Sequence, residues 1–228
     1  VILIDAGLSS FALEDETRGF SFQKEGPLDM RVNPKDTETL DNYLEKNDAH
    51  TLAKVLKEYG DVRKPLRMAE KILLRKKEGK LKKVSDLVQT IMEVFPTRNR
   101  IPDEVRQVFQ ALRIAVNQEL FFLNKGLWAG IKILSEGGYF IVISFHSGED
   151  RIVKSIFRFV SHPIKILSTE GFLREEIPPI AQNLTPKPLI PSTEEIKRNP
   201  KAKSAKLRAI KKVSDKYIDH YLKGAMDR

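Results

Sequence analysis

Gly137-Gly138-Tyr139-Phe140-Ile141-Val142-Ile143-Ser144-Phe145-His146-Ser147 decides the fold class. A double glycine turns the chain into a run of aromatic and β-branched residues too short for a helix and too apolar for a loop. This is the pattern of a strand buried on both faces. Ser147 reads as the N-cap of the next element, with Glu149 and Asp150 placed where the positive end of a helix dipole favours acids. The spacing then predicts a helix over 151–160, completing a strand–turn–helix unit. Outward from it, Val1-Ile2-Leu3-Ile4-Asp5 repeats the strand signal and stops at Gly7. Ala205, Leu207 and Ala209 alternate with Lys206 and Arg208 and predict a third strand. Strands alternating with long helices argue an α/β fold with a parallel sheet, whose ligands bind at the carboxyl ends of the strands. Those ends are Asp5-Ala6-Gly7-Leu8-Ser9-Ser10 and Ser144-Phe145-His146-Ser147, and the chemistry is expected there.

Between the first strand and Phe95 the pattern is different. Residues 8–33 are broken by Ser9-Ser10, Arg18-Gly19 and Gly26-Pro27. Helical periodicity then predicts helices around Leu40–Leu44, Ala49–Tyr59, Leu66–Leu74 and Val84–Phe95, with no strand among them. Past Pro102 one long helical pattern runs to Leu134, with Gly126 and Gly130 as points of weakness. Residues 161–191 read as a connector punctuated by proline. Val213, Tyr217, Ile218, Tyr221 and Leu222 give a terminal amphipathic helix.

Composition closes several doors. With no cysteine there is no disulfide framework, thiolate metal site or cysteine nucleophile. The four histidines are scattered without metal-ligand spacing, so no metal is expected. No apolar run is long enough to span a bilayer. No glycine-rich phosphate loop and no nucleophile elbow occurs in the chain. The net charge of +9 is concentrated: residues 63–83 and 197–228 each carry +8, so the remaining 175 residues sum to −7. Two basic segments on an acidic body suit a phosphate backbone, although a solvated helix face and a solubilising tail explain the same charge. Arg75, Lys76 and Lys77 in the first segment, and Lys206 and Arg208 in the second, are the cations expected to meet RNA. Asp5 is the leading acceptor at a strand end; a capping role is its bland alternative. His146, at the other strand end, could react or could be a hydrogen-bonded structural histidine. Phe20 and Phe22 beside Arg18 could stack on unpaired bases or anchor their loop in the core.

Taken in order, Asp5-Ala6-Gly7-Leu8-Ser9-Ser10, Arg18-Gly19-Phe20-Ser21-Phe22, Gly26-Pro27-Leu28-Asp29-Met30-Arg31, Phe109-Gln110-Ala111-Leu112-Arg113-Ile114-Ala115-Val116-Asn117, Ser144-Phe145-His146-Ser147 with Glu149-Asp150-Arg151-Ile152-Val153-Lys154, and Asn199-Pro200 through Ser204-Ala205-Lys206-Leu207-Arg208 resemble the MraW family. The likeness runs over nearly the whole chain. It implies a Rossmann-like methyltransferase sheet with an inserted all-helical domain, and an S-adenosylmethionine-dependent enzyme. The family methylates the exocyclic N4 of a cytosine in the decoding centre of small-subunit (16S) ribosomal RNA. By the same resemblance the amino-terminal half of the sheet, with the glycine-rich cofactor loop, precedes Val1. The domains are then 1–33, the first methyltransferase part; 34–105, the helical insert; and 106–228, the second part with its basic tail.

The resemblance places Asp5, Ser9, Ser10 and His146 at the reacting centre, and Asp5 and Ala12 against the cofactor. Ala12 stands where the family has a glutamine. Arg18, Phe20, Phe22, Arg31, Arg113, Arg75, Lys76, Lys77, Lys206 and Arg208 become the RNA-facing set. The implied partner is the 30S subunit or its RNA in the cytoplasm, with no membrane and with room for a homodimer. Residues 103–108 read Asp-Glu-Val-Arg-Gln-Val where the family usually has His-Pro-Ala-Thr-Arg-Thr. Ala12 and that segment favour an alternative reading, a catalytically inactive RNA-binding relative lacking the cofactor loop. A helical partner-binding protein would explain the insert but not the strand-end motifs.

Overall fold

Tyr139–Ser144 forms β2, whose alternate residues Phe140, Val142 and Ser144 are buried as period-two alternation requires. The computed structural model describes residues 1–8, 15–167, 169 and 171–226, with side chains to 224. β1 (Ile2–Asp5) pairs with β2 in parallel, from Ile2 opposite Phe140 to Asp5 opposite Ile143. The other side of β2 holds β6 (Lys206–Lys212), and β5 (Ala181–Asn183) completes the order β1-β2-β6-β5. Both β2–β6 and β6–β5 are antiparallel, so the sheet is mixed rather than parallel. The apolar alternation identifies β6 correctly but carries no information on its direction, which the connecting chain sets.

The chain forms two compact units, 1–7 with 120–228, and 8–119. In the sheet unit, α6 (Glu119–Ile133) and α7 (Ser147–Val160) supply the helices. α7 buries Val153, Ile156, Phe157 and Val160, the i, i+3, i+4, i+7 stripe of an amphipathic helix, in a core with Phe140, Val142 and Ile210. Gly130 does not break α6: a Cβ there would fall 2.5 Å from the Phe140 ring, so the helix needs this glycine to lie on β2. The stretch expected to be a connector contains a hairpin, β3 (Ile164–Leu167) with β4 (Leu173–Ile177). α8 (Thr193–Arg198) is capped by Ser192, and α9 (Ile218–Met226) buries Tyr221, whose hydroxyl donates to the His162 carbonyl at 2.7 Å.

The helical unit contains α1 (Leu40–Lys46), α2 (Ala49–Gly60), α3 (Pro65–Lys77), α4 (Val84–Val94) and α5 (Asp103–Val116). Thr39 and Asp48 cap the first two by accepting from Asn42 N and Thr51 N. The single long helix expected past Pro102 is broken at Gln118, where φ is +49°. The unit is also larger than the 34–105 insert read from the pattern. Phe20, Leu28 and Met30 are buried in the same core as Leu52, Ile72, Ile91 and Leu112, which draws Leu8, the described residues 15–33 and α5 into the helical body. Among the described residues no helix is long and apolar enough to cross a membrane.

Candidate active site

The carboxyl ends of β1 and β2 lie side by side, as their parallel register demands. Ala6 N donates to the Ile143 carbonyl at 2.9 Å, extending the ladder one residue past β1. Gly7 then takes φ +94°, a conformation that a side chain would strain, and turns the chain away. Asp5 is exposed at this end, its carboxylate free to meet a ligand.

The facing turn is built by His146. It, not Ser147, is the N-cap of α7: its Nδ1 accepts from Gly148 N at 3.2 Å and Glu149 N at 3.4 Å. Nε2 stands 3.2 Å from Glu149 Oε1, close enough for attraction but off the line of a hydrogen bond. Glu149 answers with Oε2, which accepts from Phe145 N at 2.8 Å and His146 N at 3.2 Å. This is a reciprocal capping box with imidazole in place of the usual hydroxyl. Burial pushes the Glu149 carboxyl up, but His146 and the two backbone amides outweigh it and hold the group below its ordinary value. A Cβ on Gly7 would lie 3.6 Å from Glu149 Oε1, so the box abuts the turn that follows Asp5.

His146 is thus placed as a cap and not as a free base. Alanine at 146 is expected to cost about 1 kcal/mol in urea unfolding, the usual loss of a cap. Asparagine, a good cap with no ring, should restore stability. If His146→Asn remains as unstable as His146→Ala, the capping role is wrong.

Next along α7, Asp150 holds β6 in place. Arg208 Nε and Nη2 reach its two oxygens at 2.7 and 3.2 Å, and Lys206 Nζ lies at 3.4 Å. Arg208 is 5% exposed and Asp150 9%. The sequence assigns both cations to RNA, but Arg208 is a buried structural group and Lys206 shares its carboxylate. Asp150 carries no signal in the sequence beyond its place in a helix's first turn.

In the helical unit most of the expected RNA contacts are likewise spent on the protein. Arg18 bonds Asp15 at 2.8 Å and the Val32 carbonyl. Arg31 binds both oxygens of Asp29 at 2.7 Å and reaches the carbonyls of Pro34 and Asp36. Arg113 makes a two-bond fork with Glu119 at 2.8 and 2.9 Å. Arg75 pairs with Glu93 and Glu78, and Lys76 with Asp41 and Glu45; Lys77 stays exposed. Phe20 is 6% exposed and cannot stack on a base, while Phe22 packs edge-on against Phe109 at 6.0 Å. Asn117 ties down the chain after Met30: its side chain donates to the Met30 carbonyl and accepts from Val32 N, both at 2.7 Å. The unusual segment 103–108 has a structural use, since Glu104, 4% exposed, receives Arg63 Nε at 2.7 Å. Ser9, Ser10 and Ala12 lie outside the described residues.

Comparison with known proteins adds a family to these residues. The model of the MraW methylase family matches residues 1–213. The Ribosomal RNA small subunit methyltransferase H of Carboxydothermus hydrogenoformans is 38% identical over 214 residues, covering 93% of this chain and 69% of that protein. Its namesakes in Hydrogenovibrio crunogenus and Buchnera aphidicola are each 40% identical, covering 93% and 91% of this chain and 67% of their own length. With a family model spanning nearly the whole sequence and relatives of this identity, the chain belongs to the MraW methylase family.

Proposed function

We propose that this chain acts in the transfer of a methyl group from S-adenosylmethionine to the exocyclic N4 of a cytosine in the decoding centre of small-subunit ribosomal RNA, on the 30S subunit or its RNA. The observation that carries the reading is the exposed Asp5 carboxylate at the end of β1, in a chain whose relatives are named for methylating small-subunit ribosomal RNA. A cytosine amine is a poor nucleophile because its lone pair is delocalised into the ring. It needs hydrogen-bond acceptors that rotate it and return electron density to nitrogen. Asp5 supplies a charged acceptor, and the backbone beyond it at Ala6 supplies a carbonyl. Held between them, the amine presents its lone pair in a fixed direction, which replaces a costly encounter in water by a pre-aligned one. The Asp5 carboxylate also takes the proton that the nitrogen sheds.

An exposed anion at a strand's carboxyl end likewise suits the cationic end of S-adenosylmethionine. When bound, that cofactor supplies a methyl group on a positively charged sulfur. Ser9, Ser10 and Ala12 complete the proposed loop, the serines as further acceptors. His146 and Glu149 act here through the backbone: they fix the turn against which Gly7 folds. The inactive-relative reading makes the opposite forecast for one assay. Small subunits lacking the modification are incubated with methyl-labelled S-adenosylmethionine and the protein. Label entering small-subunit RNA, and not large-subunit RNA, is the expected result; RNA binding without label would establish the inactive relative.

A further inference from the structure

The outer face of α7 bears a row of cations. Arg151, Lys154, Ser155 and Arg158 follow one another at helical spacing opposite the buried stripe Val153, Ile156, Phe157 and Val160. They form one wall of an open groove of about 680 Å³, closed on the other side by His162, Pro163, Ile164 and Lys165. Arg151, Lys154, Arg158 and Lys165 are exposed. No ion pair engages them among the described residues, and the groove lining contains no acid. Glu176 stands opposite Lys165 in the β3–β4 ladder but outside the groove, and Asp150, four residues before Lys154, is held by Arg208.

The row contrasts with most of the cations that the sequence assigns to RNA. Arg18, Arg31, Arg75, Lys76, Arg113, Lys206 and Arg208 all hold carboxylates or carbonyls. A row of unpaired cations in a concave surface is a site of raised positive potential. We infer that the α7 groove binds the phosphodiester backbone of RNA. Arg151 to Arg158 spans about 10 Å along the helix axis, enough to meet successive phosphates of one strand. Guanidinium forks at both ends with an ammonium between them suit phosphate oxygens. Ser155 adds a neutral donor. The inference rests on the ribosomal RNA reading and adds to it a surface that the basic segments 63–83 and 197–228 do not contain.

The test compares the protein with a variant carrying Arg151→Ala, Lys154→Ala, Arg158→Ala and Lys165→Ala. Binding of a fluorescein-labelled RNA stem–loop of decoding-centre sequence is followed by anisotropy from about 50 to 200 mM salt, the range over which phosphate contacts are read from the slope. The variant should bind at least 10-fold more weakly at the lower salt, and its logarithmic salt slope should flatten by about 3, at 0.7–0.9 per lost phosphate contact. All four sites are exposed, and helix content by circular dichroism checks the fold. The single exchange Lys154→Glu carries the same test, with a slope change of about 1. Equal affinity and equal slope in variant and parent would overturn the groove while leaving the ribosomal RNA reading intact. No binding by the parent protein would overturn both. Preference of the parent for phosphatidylglycerol vesicles over RNA, abolished by the variant, would assign the groove to a lipid surface and overturn the inference.

Discussion

Asp5→Ala is expected to slow methyl transfer to small-subunit RNA by about 100- to 1000-fold, the usual cost of removing one pre-placed polar group from a reacting centre. The fold should not notice. Asp5 is exposed, and its backbone is held by register with Ile143 and by the Ala6 N–H, neither of which needs the side chain. The unfolding midpoint should therefore stay within the scatter of surface exchanges. Asp5→Asn keeps an acceptor oxygen but loses the charge and the capacity to take the amine's proton, and should fall between parent and alanine. Single-turnover incorporation of labelled methyl separates this from a binding defect. Full activity in Asp5→Ala would remove this residue from the site.

Arg208→Ala should have the largest effect on stability. The exchange strands Asp150 at 9% exposure with only Lys206, at 3.4 Å, to offset its charge. Removing one partner of a buried pair leaves the other charge desolvated, and about 3 kcal/mol is expected, at the low end of the range because Lys206 remains. Urea unfolding measures it. The double exchange Arg208→Met with Asp150→Leu removes both charges and should recover most of the loss. Acid provides a second check. Burial pushes the Asp150 carboxyl up, but Arg208, then Lys206, outweigh it and hold the group below its ordinary value. A carboxyl lowered in the folded state stabilises fully above its unfolded value of about 3.9 and loses that contribution as pH falls through the folded value. The gap between parent and Arg208→Ala should thus be constant near neutrality and narrow only below about pH 4. A gap that narrows on going alkaline would rule out the pair as its cause.

Much of the fold is legible in the sequence because burial leaves a periodic trace. β1, β2 and the helices of the 8–119 unit appear in the apolar spacing, and the strand-end positions of Asp5 and His146 follow from it. What escapes is whatever depends on partners. β6 alternates correctly, yet nothing in Lys206–Lys212 states which way it pairs. The hairpin of β3 and β4 is mostly exposed, so burial leaves little alternation in its sequence. The break at Gln118 hides inside an uninterrupted apolar pattern, because both flanking helices bury a face. Among the site residues, cations and aromatics close to glycines look the same whether they meet a nucleic acid or their own loop. Arg31 with Asp29 and Arg18 with Asp15 are near enough in sequence to suggest pairing. Arg208 with Asp150 is not, because β6 must fold back along β2 before the two meet. The cap of α7 falls on His146 and not on the expected Ser147 for a chemical reason: a ring nitrogen can cap a helix as an oxygen does, but imidazole is absent from the usual set of capping side chains. The cationic stripe on α7 is masked in the sequence by the two long basic runs, which dominate the charge count although the fold spends many of their cations on acids.

The central claim is that the strand-end loop after Asp5 presents the exocyclic amine of a cytosine. Nucleoside mass spectrometry of small-subunit RNA, digested after reaction with the parent protein and with Asp5→Ala, tests it most directly. The account predicts N4-methylcytidine in the parent reaction and its near-absence in the variant. A methyl group found on the cytosine ring carbon, on a ribose oxygen or on another base, or N4-methylcytidine formed equally well without the Asp5 carboxylate, would contradict it.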